Sequence, residues 1–530
     1  MFASARRLLR PLLALALALT TAATSCNKSF DELTVNQSKP NSVPADLLFN
    51  GILNDAFEGP NGDYEIWDQY YLYNYDYYGN NRYDFGAGTT YYTTLKNVGL
   101  MEQQAQAAGL PAVNAYSALG NFFRAYLFTR MSLQMGDLPQ SQALQGLAAL
   151  TPAYDSQKAI FTQSLTWLEQ ANADLGALIA SGAPAVGGDI YFNGDLKQWQ
   201  KVVNTLRVRL LLHLSKKAGE ADLNVPGQFA AILGNPTKYP LMTSAADNMQ
   251  YKYVDPTNLY PNNNRNFGQE GSRKNMSATY VGLLTELHDP RVFVTCEPAR
   301  DLVDNKKQRP TDFASFVGAD AGLDLGVMYN NAGLQQYSFL NRRRYYSTLV
   351  GEPSIQIGYP ELCFNLAEGL HRGWATGSAE TYYKNGILAS MQFYDIPASG
   401  TLTAYFYRPG STDVANSQNY DAYAVPVSFD AYYAQPAVQY APGAAGLTEI
   451  LEQKYLALFR HSGLEAYYNY RRTGVPNFTT GPGTGNSGRI ALRFRYPASE
   501  RTANTANYQD ALQRQFGGND DINGVMYILK

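Results

Sequence analysis

The chain has 530 residues, of which 42 are Lys or Arg and 45 are Asp or Glu, giving a net charge of −3. This balance argues against a nucleic-acid-binding protein, which needs a basic surface. Three cysteines are too few for a disulfide scaffold or a paired-cysteine zinc site. Only 16% of the residues are charged, whereas 41 are tyrosines, whose flat apolar ring and single hydroxyl suit polar ligands with apolar faces.

The first 25 residues have the order of a secretory signal peptide. Three arginines precede an apolar run at 12–19, and small residues follow it. The run is shorter than the roughly 20 residues of a membrane-spanning helix, and no later run approaches that length. Cys26 stands where a bacterial lipoprotein is cleaved and acylated, although Ala23 occupies a position where a larger aliphatic residue is commoner. An ordinary signal peptide followed by a chance cysteine is the alternative.

The segment 64–92 holds ten tyrosines together with Trp67 and Phe85. It has neither a helical period nor a lasting strand alternation, which predicts an irregular, loop-rich structure. Aromatic rings interleaved with Asn, Asp and Arg suit a sugar or a peptide. The alternative is that most of these rings pack beneath long loops.

Apolar residues at helical spacing then predict a series of helices. Short loops join several of them into pairs, which favours packed helical hairpins without a strict repeat. The predicted helices are 111–135, 156–180, 196–219, one that Pro290 ends, 359–372, 378–395 and 447–472. Between them lie insertions rich in Gly, Pro, Asn and Tyr at 220–275, 297–358 and 397–446, and long loops of this kind usually form functional surfaces.

Several segments resemble one known family in the right order along the chain. They are CNKSFDELTVNQSKPN from Cys26, RAYLFTRMSLQMGDLPQSQAL at 124–144, YPELCFNLAEGLHRGW at 359–374, ILEQKYLALFRHSGLEAYYNYRRTGVPNF at 450–478 and RFRYPASERTANTANYQDAL at 493–512. Together they resemble the SusD/RagB family of nutrient-binding outer-membrane lipoproteins. The spacing QKY–LALF is similar to a divergent branch rather than to the starch-binding founder, so the ligand class stays open.

The resemblance implies a mainly α fold. We expect a degenerate TPR-like helical-hairpin scaffold with long loop-rich insertions and a few short strands. The predicted organisation is a signal peptide at 1–25, a lipidated flexible tether at 26–45 and a single SusD-like domain at 46–530.

The matching residues also have a structural interpretation. We expect Arg471, Arg472 and Glu465 to form ion pairs that hold the scaffold, and Glu368 to be a scaffold residue. Gly136 opens a predicted turn between paired helices.

The resemblance also implies that ligands bind on aromatic-rich loops, and two segments have that character. The first, 64–92, supplies the candidate ligand residues Trp67, Tyr70, Tyr71, Arg82 and Tyr83. The second, 335–353, supplies Arg343, Tyr345 and Tyr346, and 255–275 is the next choice. Alternatively, the arginines of the second segment decorate a solvated loop and Trp67 belongs to the core.

Motifs for catalysis are absent from the sequence. Its four histidines form no H-E-x-x-H pair, and no G-x-S-x-G elbow or phosphate-binding loop occurs. Paired carboxylates for glycoside hydrolysis cannot be assigned from sequence, because their separation is a tertiary property. We therefore predict a protein that is not an enzyme and that has no cofactor and no metal.

The resemblance, together with the signal peptide and Cys26, implies a surface-exposed lipoprotein that is anchored in the outer membrane of a Bacteroidetes-type bacterium and captures a glycan or a peptide. The resemblance implies a SusC-like TonB-dependent transporter as its partner. A surface glycoside hydrolase and a helical-repeat scaffold or adhesin that binds only protein are the alternatives.

Overall fold

Helices are the main regular secondary structure of residues 42–530, the part of the chain that this computed structural model describes. The signal peptide, Cys26 and most of the predicted tether lie outside the described residues. Ala45–Lys530 form one compact unit. Within 42–530, no helix combines the length and the apolar character needed to cross a membrane.

The helices are numbered here in chain order within that range. They are α1 (Ala45–Asp55), α2 (Asp63–Trp67), α3 (Tyr92–Ala107), α4 (Ala115–Met135), α5 (Gln157–Ala180), α6 (Leu196–His213), α7 (Val225–Gly234), α8 (Phe267–Glu270), α9 (Ala278–Glu286), α10 (Val292–Thr295), α11 (Leu325–Gly333), α12 (Arg342–Tyr345), α13 (Tyr359–His371), α14 (Ala379–Phe393), α15 (Phe429–Tyr433), α16 (Ala444–Ala457), α17 (Glu465–Thr473), α18 (Glu500–Ala503) and α19 (Thr505–Phe516).

Six strands in the described part of the chain form three antiparallel pairs. They are β1 (Tyr71–Tyr73) with β3 (Lys274–Met276), β2 (Met249–Tyr251) with β4 (Ser354–Ile357), and the hairpin β5 (Ser399–Tyr407) with β6 (Tyr420–Ser428). Along β5, buried Leu402, Ala404 and Phe406 alternate with exposed residues. The hairpin therefore packs one face on the body and leaves the other face in solvent.

The long helices pack in series as helical hairpins. α4 packs along α5, α5 along α6, and α6 along α13, which also contacts α14 and α16. Asn114 begins α4 by accepting hydrogen bonds from two backbone N–H groups of the first turn. Gly136 ends that helix at φ = 99°, a conformation that favours glycine. The predicted helical-hairpin scaffold is confirmed.

The predicted single helix at 447–472 is wrong, because the chain turns within it. Helix α16 ends at Ala457 and α17 starts at Glu465. Between them Arg460, Ser462 and Gly463 all have positive φ angles, which a helix cannot contain. The Ser462 N–H instead donates to the Ile355 carbonyl at 2.8 Å.

Buried ion pairs hold together the segments that carry the family resemblance. The Arg472 guanidinium pairs with Glu368, with Nη2 2.7 Å from Oε2, and Arg372 pairs with the same carboxylate at 2.8 Å. Glu465 lies 3.9 Å from the Arg209 guanidinium and forms a hydrogen bond with Nε2 of His213 at 3.1 Å. These contacts confirm the scaffold roles predicted for Arg472, Glu368 and Glu465.

The expectation that Arg471 forms an ion pair is wrong. Its guanidinium donates to the carbonyls of Leu492 at 2.6 Å and Leu133 at 2.7 Å, and no carboxylate in the described part of the chain pairs with it. Arg471 therefore ties α17 to the last turns of α4 and to the loop at Leu492 through backbone hydrogen bonds rather than through an ion pair.

Candidate functional site

Five of the eight predicted ligand residues are buried in the core. Tyr70, Tyr71, Tyr83 and Tyr345 are at most 1% exposed, and Tyr346 is 2% exposed. The Tyr70 ring stacks on a tyrosine of α16 with centroids 4.7 Å apart, and the Tyr83 hydroxyl donates to the Trp67 carbonyl at 2.9 Å. Rings in these positions stabilise the fold, so the structure favours the other three predicted residues for contact with a ligand.

Trp67 and Arg82 line a cleft of about 330 Å³. The half-buried Trp67 ring packs on Phe85 and Phe494, with centroids 4.8 and 5.3 Å away. Arg82 is exposed and pairs with Asp84 at 2.6 Å. This cleft brings together two of the predicted residues, and its tryptophan also belongs to a packed aromatic cluster.

Arg343 belongs to α12, and its side chain packs against the β5–β6 hairpin and does not line that cleft. Its guanidinium stands over the rings of Tyr405 and Tyr420, 5.7 and 5.5 Å from their centroids. The neighbouring Arg344 pairs with Glu352. The arginines of this segment are therefore engaged by the body of the protein, and the structure does not join Arg343 to Trp67 and Arg82.

A group of rings at the surface, hereafter the tyrosine cluster, consists of the exposed Tyr75, Tyr77 and Tyr329 and the half-buried Tyr78. Tyr77 is 81% exposed and Tyr329 is 47% exposed. Neighbouring centroids in the cluster are 5.2 to 6.3 Å apart. Stacked rings open to solvent can bind the apolar face of a flat ligand, so the cluster is the strongest candidate ligand surface among the described residues.

The pairing of β1 with β3 places Arg273 against this cluster. The register pairs Tyr73 with Lys274, and just beyond it the Asn74 N–H donates to the Arg273 carbonyl at 3.1 Å. The Arg273 guanidinium consequently lies 5.5 Å from the Tyr75 centroid and 5.1 Å from that of Tyr78. Arg273 belongs to 255–275, the segment predicted as the next choice for ligand binding.

Beside the tyrosine cluster lies a cleft of about 470 Å³, hereafter the arginine cleft. Tyr329 belongs to both features, and Arg273, which contacts the cluster, also lines the cleft. The three predicted insertions all contribute to its wall. Its charged lining residues are Arg273, Glu297, Arg300, Arg342 and Arg408.

Of the five charged side chains that line the arginine cleft, two form ion pairs and the carboxylate accepts backbone hydrogen bonds. Arg300 pairs with Asp304, and Arg408 pairs with Asp421. Glu297 accepts hydrogen bonds from the backbone N–H groups of Arg342 at 2.8 Å and Tyr407 at 3.1 Å.

Burial raises the pKa of Glu297, while the Arg342 guanidinium opposes that rise. Glu297 therefore positions the start of α12 and the end of β5. A general acid would have to face a reacting bond, and this carboxylate is instead occupied by backbone N–H groups.

The sequence did not single out Tyr329, Arg273, Arg300 or Arg408. Each lies in a predicted insertion, but no local spacing distinguishes it from other loop residues. The only available signal was that several insertions are rich in tyrosine. In the described part of the chain, no group of three His, Cys, Asp or Glu side chains could hold a metal ion.

Comparison with known proteins identifies the relatives of this chain. Residues 39–497 match the SusD-like family, described as starch-binding and associating with the outer membrane. No curated protein matches the chain.

Solved structures of similar fold are SusD homologues. One from Bacteroides fragilis is 31% identical, with a TM-score of 0.78 over 92% of this chain and 100% of its own. A second from the same species is also 31% identical, with a TM-score of 0.75 over the same shares. A chitin-binding homologue from Flavobacterium johnsoniae shares the fold at 21% identity, with a TM-score of 0.67 over 92% of this chain and 98% of its own.

Proposed function

Because this chain belongs to the SusD-like family, which is described as starch-binding and associated with the outer membrane, we propose that it captures an oligosaccharide at the cell surface. The observation that carries this proposal is the solvent-exposed tyrosine cluster beside the arginine cleft. Stacked tyrosines bind sugar rings through their apolar faces, while the polar groups of the cleft hydrogen-bond the sugar hydroxyls. A peptide is the second ligand class that this surface suits.

We further propose that the protein is a lipoprotein that delivers its ligand to a SusC-like TonB-dependent transporter. In this proposal Cys26 carries the lipid, residues 26–45 form a flexible tether, and 46–530 act as a ligand-binding lid on the transporter. A rigid helical scaffold supports that role because it holds loop-borne ligand contacts at fixed positions. Co-purification of a TonB-dependent transporter with the tagged full chain would test the partnership.

A binding screen tests the capture of an oligosaccharide. The full chain, solubilised in detergent, is titrated with starch, chitin and uronic-acid oligosaccharides and with peptides, and product release is followed in parallel. We expect stoichiometric binding of at least one oligosaccharide and no products above a denatured control. Steady product release would favour the glycoside hydrolase alternative.

Tyr77→Ala is the variant that links binding to the tyrosine cluster. Loss of one stacked ring should weaken binding about tenfold, since such a contact contributes of order 1 kcal/mol beyond its buried area. Leu147→Ala removes another side chain that is 91% exposed and serves as the matched control. Unchanged affinity in Tyr77→Ala would place the ligand elsewhere, and the cleft at Trp67 would be tested next.

A further inference from the structure

We infer that the arginine cleft and the tyrosine cluster together bind an acidic oligosaccharide, one whose sugar rings carry carboxylate groups. This inference rests on the proposed function, because it names the class of sugar that the same site takes. It is carried by the charge of the cleft, by the position of Arg273 and by the neighbouring exposed rings.

Two of the four arginines in the cleft have no acidic partner. Arg300 and Arg408 are each neutralised by an aspartate. For Arg273 and Arg342, no carboxylate anywhere in 42–530 lies within ion-pairing distance of the guanidinium. The cleft thus carries two cations without a paired anion, in a chain whose net charge is −3.

Arg273 also has unused hydrogen-bonding capacity. Its Nε atom is buried and has no hydrogen-bond partner among the described residues. The hydroxyl of Tyr407, another residue that lines the cleft, is also buried and also has no hydrogen-bond partner among the described residues. Buried polar groups in proteins are normally satisfied, so these two groups leave hydrogen-bonding capacity in the cleft wall for a water molecule or a ligand.

The position of Arg342 gives the cleft a second anchor for a negative charge. One of its nitrogens, Nη2, donates to the Gly271 carbonyl at 3.1 Å, and the guanidinium stands over the rings of Phe267 and Phe339 at 5.6 and 5.1 Å. These contacts restrict the side chain before a ligand arrives. A guanidinium held in this way binds a carboxylate at low entropic cost and with two parallel hydrogen bonds.

The carboxylates near the cleft are already engaged, and in the described part of the chain none of them lies within ion-pairing distance of Arg273 or Arg342. Asp304 and Asp421 belong to their own pairs, and both oxygens of Glu297 accept backbone N–H groups. Each of these carboxylates thus has its own partners, and Arg273 and Arg342 remain available to an anionic ligand.

The exposed rings favour a sugar over an acidic peptide. Arg273 lies directly against Tyr75 and Tyr78, so a carboxylate on Arg273 brings the group that bears it onto the tyrosine cluster. A pyranose ring has a flat apolar face that stacks there, whereas the side chain of a glutamate or aspartate has none. A uronic acid combines both features in one residue.

A pair of ligands that differ only in charge tests the inference on the unmodified protein. The full chain in detergent is titrated with an oligogalacturonate and with its methyl ester, which has the same sugar rings without the carboxylates. We expect the acid to bind about tenfold or more tightly than the ester, and to lose affinity as salt rises. A maltooligosaccharide and an oligoglutamate complete the panel.

Each result of this titration has a defined meaning. Equal or tighter binding of the ester or of the neutral sugar would overturn the acidic-ligand inference while leaving oligosaccharide capture intact. Binding of oligoglutamate alone would overturn both proposals, whereas binding of nothing in this panel would overturn the acidic-ligand inference and leave oligosaccharide capture to the wider binding screen.

Two arginine variants test whether the carboxylates of the ligand bind at the arginine cleft. Arg273→Gln should lower the affinity for oligogalacturonate about tenfold or more and leave binding of the methyl ester unchanged. Arg309→Gln removes an arginine that is paired with Asp312 on the surface and does not line the cleft, and it should bind like the parent. If Arg273→Gln melts like the parent and keeps full affinity for the acid, the inference is wrong.

Discussion

At the scale of single residues, neighbours in one tyrosine-rich run have opposite environments. Tyr71 is fully buried and its hydroxyl donates to Glu65, whereas Tyr77 in the same run is 81% exposed. The first ring stabilises the core and the second is available to a ligand. A variant of each kind therefore separates stability from binding.

Trp67→Ala tests the dual position of that ring. Because it packs on Phe85 and Phe494, its loss should reduce the free energy of unfolding by about 2 kcal/mol or more. Tyr77→Ala should leave the melting temperature nearly unchanged. Thermal unfolding of both variants shows whether Trp67 stabilises the core. An unchanged melting temperature for Trp67→Ala would instead indicate a ring that faces the ligand.

Glu368→Gln should destabilise the protein strongly, because it leaves the buried Arg472 guanidinium without its counter-charge. Removing one partner of a buried ion pair costs about 3–5 kcal/mol. The comparison is the exposed pair in which Arg309 contacts Asp312, where Arg309→Gln should cost at most about 1 kcal/mol. Urea denaturation near pH 7 measures both, and similar midpoints for the two variants would contradict the scaffold role of Glu368.

The pKa of Glu368 determines how the stabilisation by the Glu368–Arg472 pair depends on pH. Burial alone would raise that pKa, but Arg472 and Arg372 outweigh it and lower the pKa to about 2. A carboxyl with a depressed pKa in the folded state stabilises the protein above its unfolded pKa of about 4.5, and this contribution is lost as pH falls toward 2. The difference between the parent and Glu368→Gln should therefore shrink over that interval.

At the scale of elements, the helices pack through apolar stripes, but one contact places like charges together. Helix α16 packs against α9, and Glu452 of α16 lies near Glu286 of α9 and near Glu449. Burial, aided by these two carboxylates, raises the pKa of Glu452 to about 7. The folded protein therefore holds the proton of Glu452 more tightly than the unfolded chain does.

Glu452→Gln should stabilise the protein at alkaline pH. An acid whose folded pKa is raised destabilises the fold progressively between its unfolded pKa of about 4.5 and its folded value. The melting temperature of Glu452→Gln should exceed that of the parent at pH 8, and the difference should be small at pH 5. A difference that is equal at the two pH values would show that Glu452 is already ionised at pH 5.

At the scale of the whole molecule, scaffold and ligand surface are built from different parts of the chain. The helical hairpins supply rigidity, while the insertions and the tyrosine-rich run supply the tyrosine cluster and the arginine cleft. This division lets the ligand contacts change without disturbing the hairpins. The anchor is a third part, and its role remains a prediction because it precedes the described residues.

Cys26→Ser tests the anchor. The thioether that carries the lipid needs the cysteine sulfur, so the variant should not be labelled by a tagged fatty acid and should leave the detergent phase. Ligand binding by the variant should stay unchanged, since the tyrosine cluster and the arginine cleft lie in the described body of the protein. Labelling and partitioning like those of the parent would disprove the lipoprotein proposal.

The sequence by itself determined the class of fold and the family. The helical spacing of apolar residues is a local property of the sequence, so the helices at 156–180 and 378–395 were predicted within a few residues. The roles of Glu368 and Arg472 were also predictable, because charged residues within apolar helical segments must be paired when they are buried. The break in 447–472 was missed because it depends on a hydrogen bond to distant Ile355.

Only the tertiary structure decided which residues of the tyrosine-rich run face solvent and what lies beside them. The run has no period, so its sequence is compatible with either burial or exposure of each ring. Antiparallel pairing of β1 with β3 buries Tyr71 and brings Arg273 onto the rings of Tyr75 and Tyr78. That pairing joins segments that are far apart in the chain. It cannot be predicted from the sequence because each strand is too short for its local pattern to specify its partner.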